Sequence, residues 1–275
     1  MVELNHEHVA KYHQIKTTRT LGGVCIELMT DYYEGGNLAS LLRRQWKENL
    51  VCDMSTVARC GGEIADGLTY LHAQQIVHGN LKPESVFIKQ TEKYHNRLGS
   101  MIIGDLDDSS LWIFRCSRSL DITQQDIGMR YMSPEMLVNV SRFPKPCLEL
   151  QTGRRTDIWS LGCILLDLAC GIPRRQIQNV ADIINAEDIS VYCYLTLILN
   201  GYLPHVPQSI PETLASCIRK TLCFKSTERI SAAELRDQLQ SAALIPGCEL
   251  ASQNPLQSPR SSPKDCLLLV GPAGQ

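Results

Sequence analysis

From His78 to Ile88 the chain reads His-Gly-Asn-Leu-Lys-Pro-Glu-Ser-Val-Phe-Ile. This places an imidazole (His78), a carboxamide (Asn80), an ammonium (Lys82) and a hydroxyl (Ser85) on one short polar stretch. A helix-like pattern leads in, and a β-like run from Val86 leads out. A second β-like run, Met101-Ile102-Ile103, ends in Gly104-Asp105-Leu106-Asp107-Asp108 and adds carboxylates. A polar loop on two hydrophobic supports is where a rigid scaffold presents a catalytic or binding site. The residue types limit the chemistry. The neutral amide of Asn80 hydrogen-bonds but cannot act as a general base near neutral pH. His78, between apolar neighbours, reads as a packed and hydrogen-bonded core histidine rather than a base.

The positioning elements follow from periodicity. From Met54 to Gln74, Val57, Cys60, Ile64, Leu68 and Leu71 recur at three- and four-residue spacing, so an amphipathic helix is expected with Asp53 or Ser55 as N-cap. Gly61, Gly62 and Gly67 each weaken it by roughly 1 kcal/mol relative to alanine, so tertiary packing must hold it. Thr156 to Gly171 is apolar nearly all round and should be buried on every side as a central post. Thr156 or Asp157 is expected to cap its start and Gly171 its end. Upstream, strands are expected at about His13 to Thr18 and Val24 to Thr30, turning at Gly22-Gly23. His6-x-His8 with His13 reads as an exposed loop rather than a metal site. Asp31 to Leu38 combines a strand end, two glycines and a helix start. Weaker helical patterns cover about Val180 to Asn200 and Pro211 to Cys223, and Ser231-Ala232-Ala233-Glu234 is a capping box opening a last helix to about Ala243. After Pro246 the composition turns to Ser, Pro, Gln and Gly, which reads as a disordered tail.

The bulk numbers exclude some classes. The chain has 275 residues, 44% hydrophobic and 20% charged, ordinary values for a globular protein with room for two lobes. A net charge of −2 gives no whole-chain field for nucleic acid or anionic membrane. The twelve cysteines form no C-x-x-C pair, and Cys60, Cys163 and Cys217 fall on apolar helical faces, so buried thiols are expected rather than a disulfide framework or zinc site. No run of about 18 apolar residues and no secretory signal is visible. A cytoplasmic or nuclear location is expected.

These pieces, in this order, resemble a protein kinase from about Leu4 to Leu239. The matching stretches are His78 to Ile88, Gly104-Asp105, Tyr131-Met132-Ser133-Pro134-Glu135, Asp157 to Gly162, and Glu228-Arg229-Ile230. The first is similar to the catalytic loop His-Arg-Asp-Leu-Lys-Pro-Glu-Asn, with Gly79, Asn80 and Ser85 standing in place of the Arg, the Asp and the final Asn. The hinge and helix segments resemble Ser/Thr kinases of the never-in-mitosis-related type, with a serine/threonine kinase-like-domain pseudokinase group as second candidate. The resemblance implies an α+β, protein-kinase-like fold with a mainly helical C-lobe and a β-hairpin left of the N-lobe. It divides the chain into hairpin and hinge (1–35), C-lobe (36–243) and a Ser/Pro-rich tail (244–275).

The resemblance also assigns roles. Thr30, the gatekeeper position, with Asp31, Tyr32 and Tyr33, forms a vestigial hinge, and Phe87 is the adenine floor. Asp105 corresponds to the Mg²⁺-binding Asp, followed by Leu106-Asp107 where the family has Phe-Gly. Lys82 matches the lysine that contacts the transferred phosphate. Ser85 exchanges a metal-binding carbonyl oxygen for a shorter, weaker hydroxyl ligand. Gly79 removes the Arg that ties the loop to a phosphorylated activation loop, and Met129 stands where many Ser/Thr kinases carry a threonine. Glu135 and Arg229 match a buried ion pair, and Asp157 the aspartate that supports the catalytic-loop backbone. In the family the glycine-rich loop, the β3 lysine and the αC glutamate precede the segment resembled at Leu4. The expected function is therefore a catalytically inactive, pseudokinase-like module for binding, scaffolding or regulation, without ATP or Mg²⁺. Its partners would be proteins, a kinase or kinase substrate among them, with no nucleic acid and no membrane. The alternative is a truncated Ser/Thr kinase homologue whose longer form binds ATP and retains phosphotransferase activity.

Overall fold

The most continuously apolar stretch of the sequence forms the longest helix of the computed structural model, which describes residues 4–20, 23–48, 50–90, 98–106, 130–141, 150–170 and 196–243. In chain order the elements are β1 (Tyr12–Thr20), β2 (Gly23–Thr30), α1 (Leu38–Glu48), α2 (Met54–Ala73), β3 (Val86–Lys89), β4 (Ser100–Ile103), α3 (Pro134–Ser141), α4 (Leu150–Cys170), α5 (Glu212–Thr221) and α6 (Ala232–Ala243). Short 3-10 turns lie at Pro83–Ser85 and Ser226–Glu228. The strands make two separate antiparallel pairs, β1 with β2 and β3 with β4. The architecture is α+β, as expected. Gly22, Asp107, Asp108, Met129, Gly171, most of the helix expected from Val180, and the tail lie outside the described residues.

Helix α4 is the post. Ile158, Trp159, Leu161, Ile164, Leu165 and Leu168 are all essentially inaccessible, and the whole stretch 156–169 is buried. The expected caps are corrected: α4 begins at Leu150, so Thr156 and Asp157 lie inside it. The reason is competition for their side chains. Thr156 Oγ1 donates back to the Gly153 carbonyl at 2.6 Å, and the Asp157 carboxylate turns away from its own helix to a distant loop.

Helix α2 packs against α4, α6 and β4 and carries the stripe Val57, Cys60, Ile64, Leu68 and Leu71, each fully buried. Asp53 caps it, accepting from the Thr56 amide at 2.8 Å and from the hydroxyls of Ser55 (2.5 Å) and Thr56 (2.7 Å). Burial raises the pKa of Asp53, but the Ser55 and Thr56 hydrogen bonds outweigh it and hold the carboxyl below its ordinary value. Two glycines of α2 explain how packing holds a helix that propensity disfavours. A Cβ on Gly61 would overlap Leu165 of α4, and one on Gly67 would lie 2.7 Å from the His8 carbonyl oxygen.

That second contact marks a feature the sequence did not announce. His8, Val9 and Ala10 are buried and run beside β4: Ile103 N–H donates to the His8 carbonyl (2.9 Å), and Ala10 N–H to the Ile103 carbonyl (2.7 Å). The expectation of an exposed histidine loop is therefore corrected, because main-chain pairing with β4 buries His8 and its ring bonds the Met101 carbonyl at 3.0 Å. Among the described residues no group of histidine, cysteine and carboxylate side chains is arranged to hold a metal ion. The cysteines behave as expected. Cys60, Cys163 and Cys217 lie in the core, and burial pushes the Cys52 thiol up to about 11.

The two neighbouring glycines should respond oppositely to one substitution. Gly61→Ala is expected to destabilise by about 1–3 kcal/mol through overpacking. Gly62→Ala, whose Cβ would meet nothing nearer than 3.7 Å, should stabilise by up to about 1 kcal/mol in urea unfolding. Asp53, with a folded pKa below its unfolded one, stabilises fully above the unfolded carboxylate value of about 3.9 and loses that as pH falls through the folded value. Asp53→Asn should therefore flatten the stability-versus-pH profile on the acid side of about pH 4.

Candidate functional site

The loop between α2 and β3 is shaped by one carboxylate. Asp157, 1% exposed, accepts the His78 amide on Oδ2 (2.9 Å) and the Gly79 amide on Oδ1 (2.8 Å). His72, at the end of α2, adds its Nε2 to Oδ2 at 2.8 Å. Both loop amides can point at one carboxylate only if the backbone bends sharply, and Gly79 sits at φ +70°. In that left-handed region a side chain costs roughly 1–2 kcal/mol.

His78 is fully buried, and its two partners select its tautomer. Nε2 lies 3.0 Å from the Gly104 carbonyl and must donate, while Nδ1 faces the Asn80 amide at 3.3 Å and must accept. With both nitrogens engaged, the ring braces the loop against the end of β4 and has no nitrogen left for a substrate. Asn80 is half-buried and, with Gly79, Tyr131, Ser133, Met136 and Ser160, lines a shallow cleft.

Ser85 is closed on itself. Its hydroxyl donates to the Lys82 carbonyl (2.9 Å) and accepts the Lys82 amide (3.1 Å), while its carbonyl accepts the Gly104 amide (2.8 Å). The residue is inaccessible and acts as the cap of the Pro83–Ser85 turn. Asp105 follows β4 with φ +53°, a backbone state that aspartate tolerates better than most side chains, and it is exposed. Leu106 is buried, and its amide donates to the Tyr12 hydroxyl at 2.8 Å. Lys82 is half-buried on extended backbone. As a metal site, the pair of positions offers the carboxylate of Asp105 and a serine hydroxyl already spent on Lys82.

The hinge residues divide between surface and support. Thr30 ends β2 and is exposed, its hydroxyl turned to the Asp31 carbonyl at 3.3 Å, and Tyr32 is 88% exposed. Asp31 pairs with His13 at 2.6 Å across the base of the hairpin. Tyr33 stacks on Phe87 with ring centroids 5.5 Å apart. Burial, reinforced by the charge of Asp31, raises the Tyr33 phenol above its ordinary pKa. Phe87 in turn lies against the Gly104 backbone, where a Cβ would come within 2.5 Å of its ring.

Glu135 and Arg229 form a bidentate pair at 2.5 and 2.7 Å. The guanidinium is inaccessible and also donates to the carbonyls of Cys223, Phe224 and Arg155, with Trp159 beneath it at 5.1 Å. Every face of the charge has a partner, the condition under which a buried ion pair holds rather than strains a fold. The pair fastens α3 to the loop before α6 and to α4.

Three supporting groups were missed from sequence. His72 lies one residue past Leu71 on the apolar stripe of α2, and Asp167 interrupts the apolar α4 at zero exposure, where it accepts the Tyr131 hydroxyl at 2.6 Å. A polar residue on an otherwise apolar face is a signal of a buried partner, and both positions carried it. Tyr12 carried none.

The lobe is mainly helical, and its central helix holds a polar loop by its main chain, with a carboxylate at the following strand end and a buried Glu–Arg pair. The family model described as protein kinase domain matches residues 1–239. The chain belongs to the protein kinase family. It is 28% identical to the serine/threonine-protein kinase Nek4 of Mus musculus over 230 residues, 83% of this chain and 24% of that protein. It is 30% identical to the mitogen-activated protein kinase kinase kinase 6 of Homo sapiens over 176 residues, 61% of this chain and 12% of that protein. To the mitogen-activated protein kinase kinase 7 of Arabidopsis thaliana it is 28% identical over 215 residues, 76% of this chain and 59% of that protein. The chain thus spans about a quarter or less of the first two relatives.

Asp157→Asn is expected to cost about 3–5 kcal/mol in urea unfolding, since an amide cannot accept from three donors with both its terminal atoms. Gly79→Ala should cost about 1–2 kcal/mol. An unchanged unfolding midpoint for Gly79→Ala would show that the loop does not depend on the left-handed turn.

Proposed function

We propose that this chain is a catalytically inactive, pseudokinase-like member of its family that works by binding, as a scaffold or regulatory module. Asn80 carries the reading. Phosphoryl transfer between ATP and a hydroxyl needs a carboxylate that orients the hydroxyl and receives its proton. A carboxamide orients but does not accept a proton near neutral pH. Ser85 supports the reading independently, because its hydroxyl serves the Lys82 turn and is not offered to a metal. The donor set at Asp105 and Ser85 therefore does not fit a pair of Mg²⁺ ligands, and the proposed function includes no ATP or Mg²⁺. The working surface is the lobe 36–243 with the hairpin and hinge 1–35, and 244–275 serves as a tail. The proposed partners are proteins, a kinase or a kinase substrate, in the cytoplasm or nucleus. No described helix is long and apolar enough to cross a membrane.

A second reading is favoured by the survival of Asp105 and Lys82 and by the names of the relatives: a piece of a Ser/Thr protein kinase whose longer form binds ATP and transfers phosphate. One experiment separates the two. The purified protein, given labelled ATP with Mg²⁺ and a mixture of Ser/Thr peptides, is expected to transfer no more phosphate than its Asp105→Ala variant, and to show no ATP-dependent thermal shift with or without Mg²⁺. Transfer that Asp105→Ala abolishes would establish the second reading instead.

A further inference from the structure

The segment 4–10 lies apart from the Asp157 loop, yet it fastens the β1–β2 hairpin to the helical lobe. Part of its grip on α2 is polar. The Asn5 amide donates to the Tyr70 hydroxyl at 2.9 Å, and the His6 ring stacks on Tyr70 with centroids 4.8 Å apart and planes 21° from parallel. His6 Nε2 stands 3.5 Å from Asp66 Oδ2, and the other oxygen of Asp66 accepts from Arg236 of α6 at 3.1 Å. The His8 amide donates to His6 Nδ1 at 3.1 Å, and His8 then enters the pairing with Ile103 described above.

We propose that His6 is an acid-sensitive latch whose protonation releases residues 4–10 from α2 and β4 and loosens the hairpin, while the helical lobe stays folded. The argument is one of donors and acceptors. Nδ1 faces an amide N–H and must present a lone pair, and Nε2 faces a carboxylate and must carry the hydrogen. The seated ring is therefore the neutral Nε2–H tautomer. A proton arriving at Nδ1 sets N–H against N–H, so the charged ring keeps Asp66 only by giving up His8. His8 is the residue whose carbonyl holds Ile103.

The charges around the ring are mixed. From α2, Asp66 favours the charged form, as does Glu7 on the segment itself, while His8, with its ring centroid 5.9 Å away, opposes it. From α6, Arg236 shares the Asp66 carboxylate and is itself paired with Asp237 at 2.8 Å. Glu63 of α2 is engaged with the Met101 amide and Arg59. Burial of the ring is the largest influence and lowers its pKa below the ordinary value despite Asp66. For a histidine depressed on folding, the stabilisation is complete above the unfolded value of about 6.5 and is lost as pH falls through the folded value. The latch is closed at neutral pH and opens on the acid side.

Hydrogen exchange read by mass spectrometry on the full chain, corrected for intrinsic rates, tests this between about pH 7.5 and about pH 5. Peptides covering 4–10 and Ile103 are expected to lose about tenfold protection at the acid end while peptides of α2 and α4 keep theirs. His6→Asn, which offers an oxygen to the His8 amide but does not titrate, should give a flat response. Asp66→Asn, which removes the carboxylate favouring the charged ring, should move the wild-type midpoint down by about half a pH unit. An acid response preserved in His6→Asn, a midpoint that Asp66→Asn leaves in place or raises, or no acid response in the wild type would each overturn the proposal.

Discussion

The Asp157 carboxylate is the point on which the described lobe turns. It projects from the interior of α4, is shielded from water, and gathers two loop amides and one imidazole. A buried carboxylate is tolerable only when its oxygens are satisfied, so the loop has little freedom: His78 and Gly79 must present their N–H groups, and the chain must turn left-handed to do so. From there the constraint spreads outward. His78 braces Gly104, Gly104 braces Ser85, and Ser85 closes the turn that delivers Val86 to its place opposite Ile103. The loop, its two strands and α4 thus form one hydrogen-bonded unit.

Part of this unit is held by main chain rather than by side chains. Asn80 contributes its amide to His78, Lys82 its main chain to Ser85, and Gly79 its amide to Asp157. A loop held partly by its backbone accepts changes in side-chain chemistry at such positions at little structural cost. The Glu135–Arg229 pair has the opposite character. Its function is in its side chains, and the guanidinium joins Glu135, Arg155 and the Cys223–Phe224 backbone.

Much of the fold was legible because its signals are local. The stripe of α2, the all-round apolarity of α4 and the Ser231–Glu234 capping box are written within one or two turns, and each appears where expected, the box closing as the Ser231 amide donates to Glu234 (3.0 Å) and the Glu234 amide to the Ser231 hydroxyl (3.3 Å). What the pattern could not show is pairing between distant positions. Asp157 looks like a cap because its partners, 78 to 85 residues earlier, leave no trace beside it. His8 looks like loop because its burial comes from main-chain bonds to Ile103, which composition does not encode. His72 and Asp167 were readable in principle as polar residues on apolar faces, but not their partners.

Tyr12 opens β1, and its hydroxyl is the acceptor for the amide of Leu106, the residue directly after Asp105. The hairpin beyond it projects as a two-stranded ribbon, anchored at its base. Mechanically this is a lever with a short arm. A force applied along the ribbon reaches, in part through the Tyr12 hydroxyl, the backbone beside the Asp105 carboxylate. The hairpin and the Asp105 carboxylate are thus mechanically linked, and one of the links is the Tyr12–Leu106 hydrogen bond.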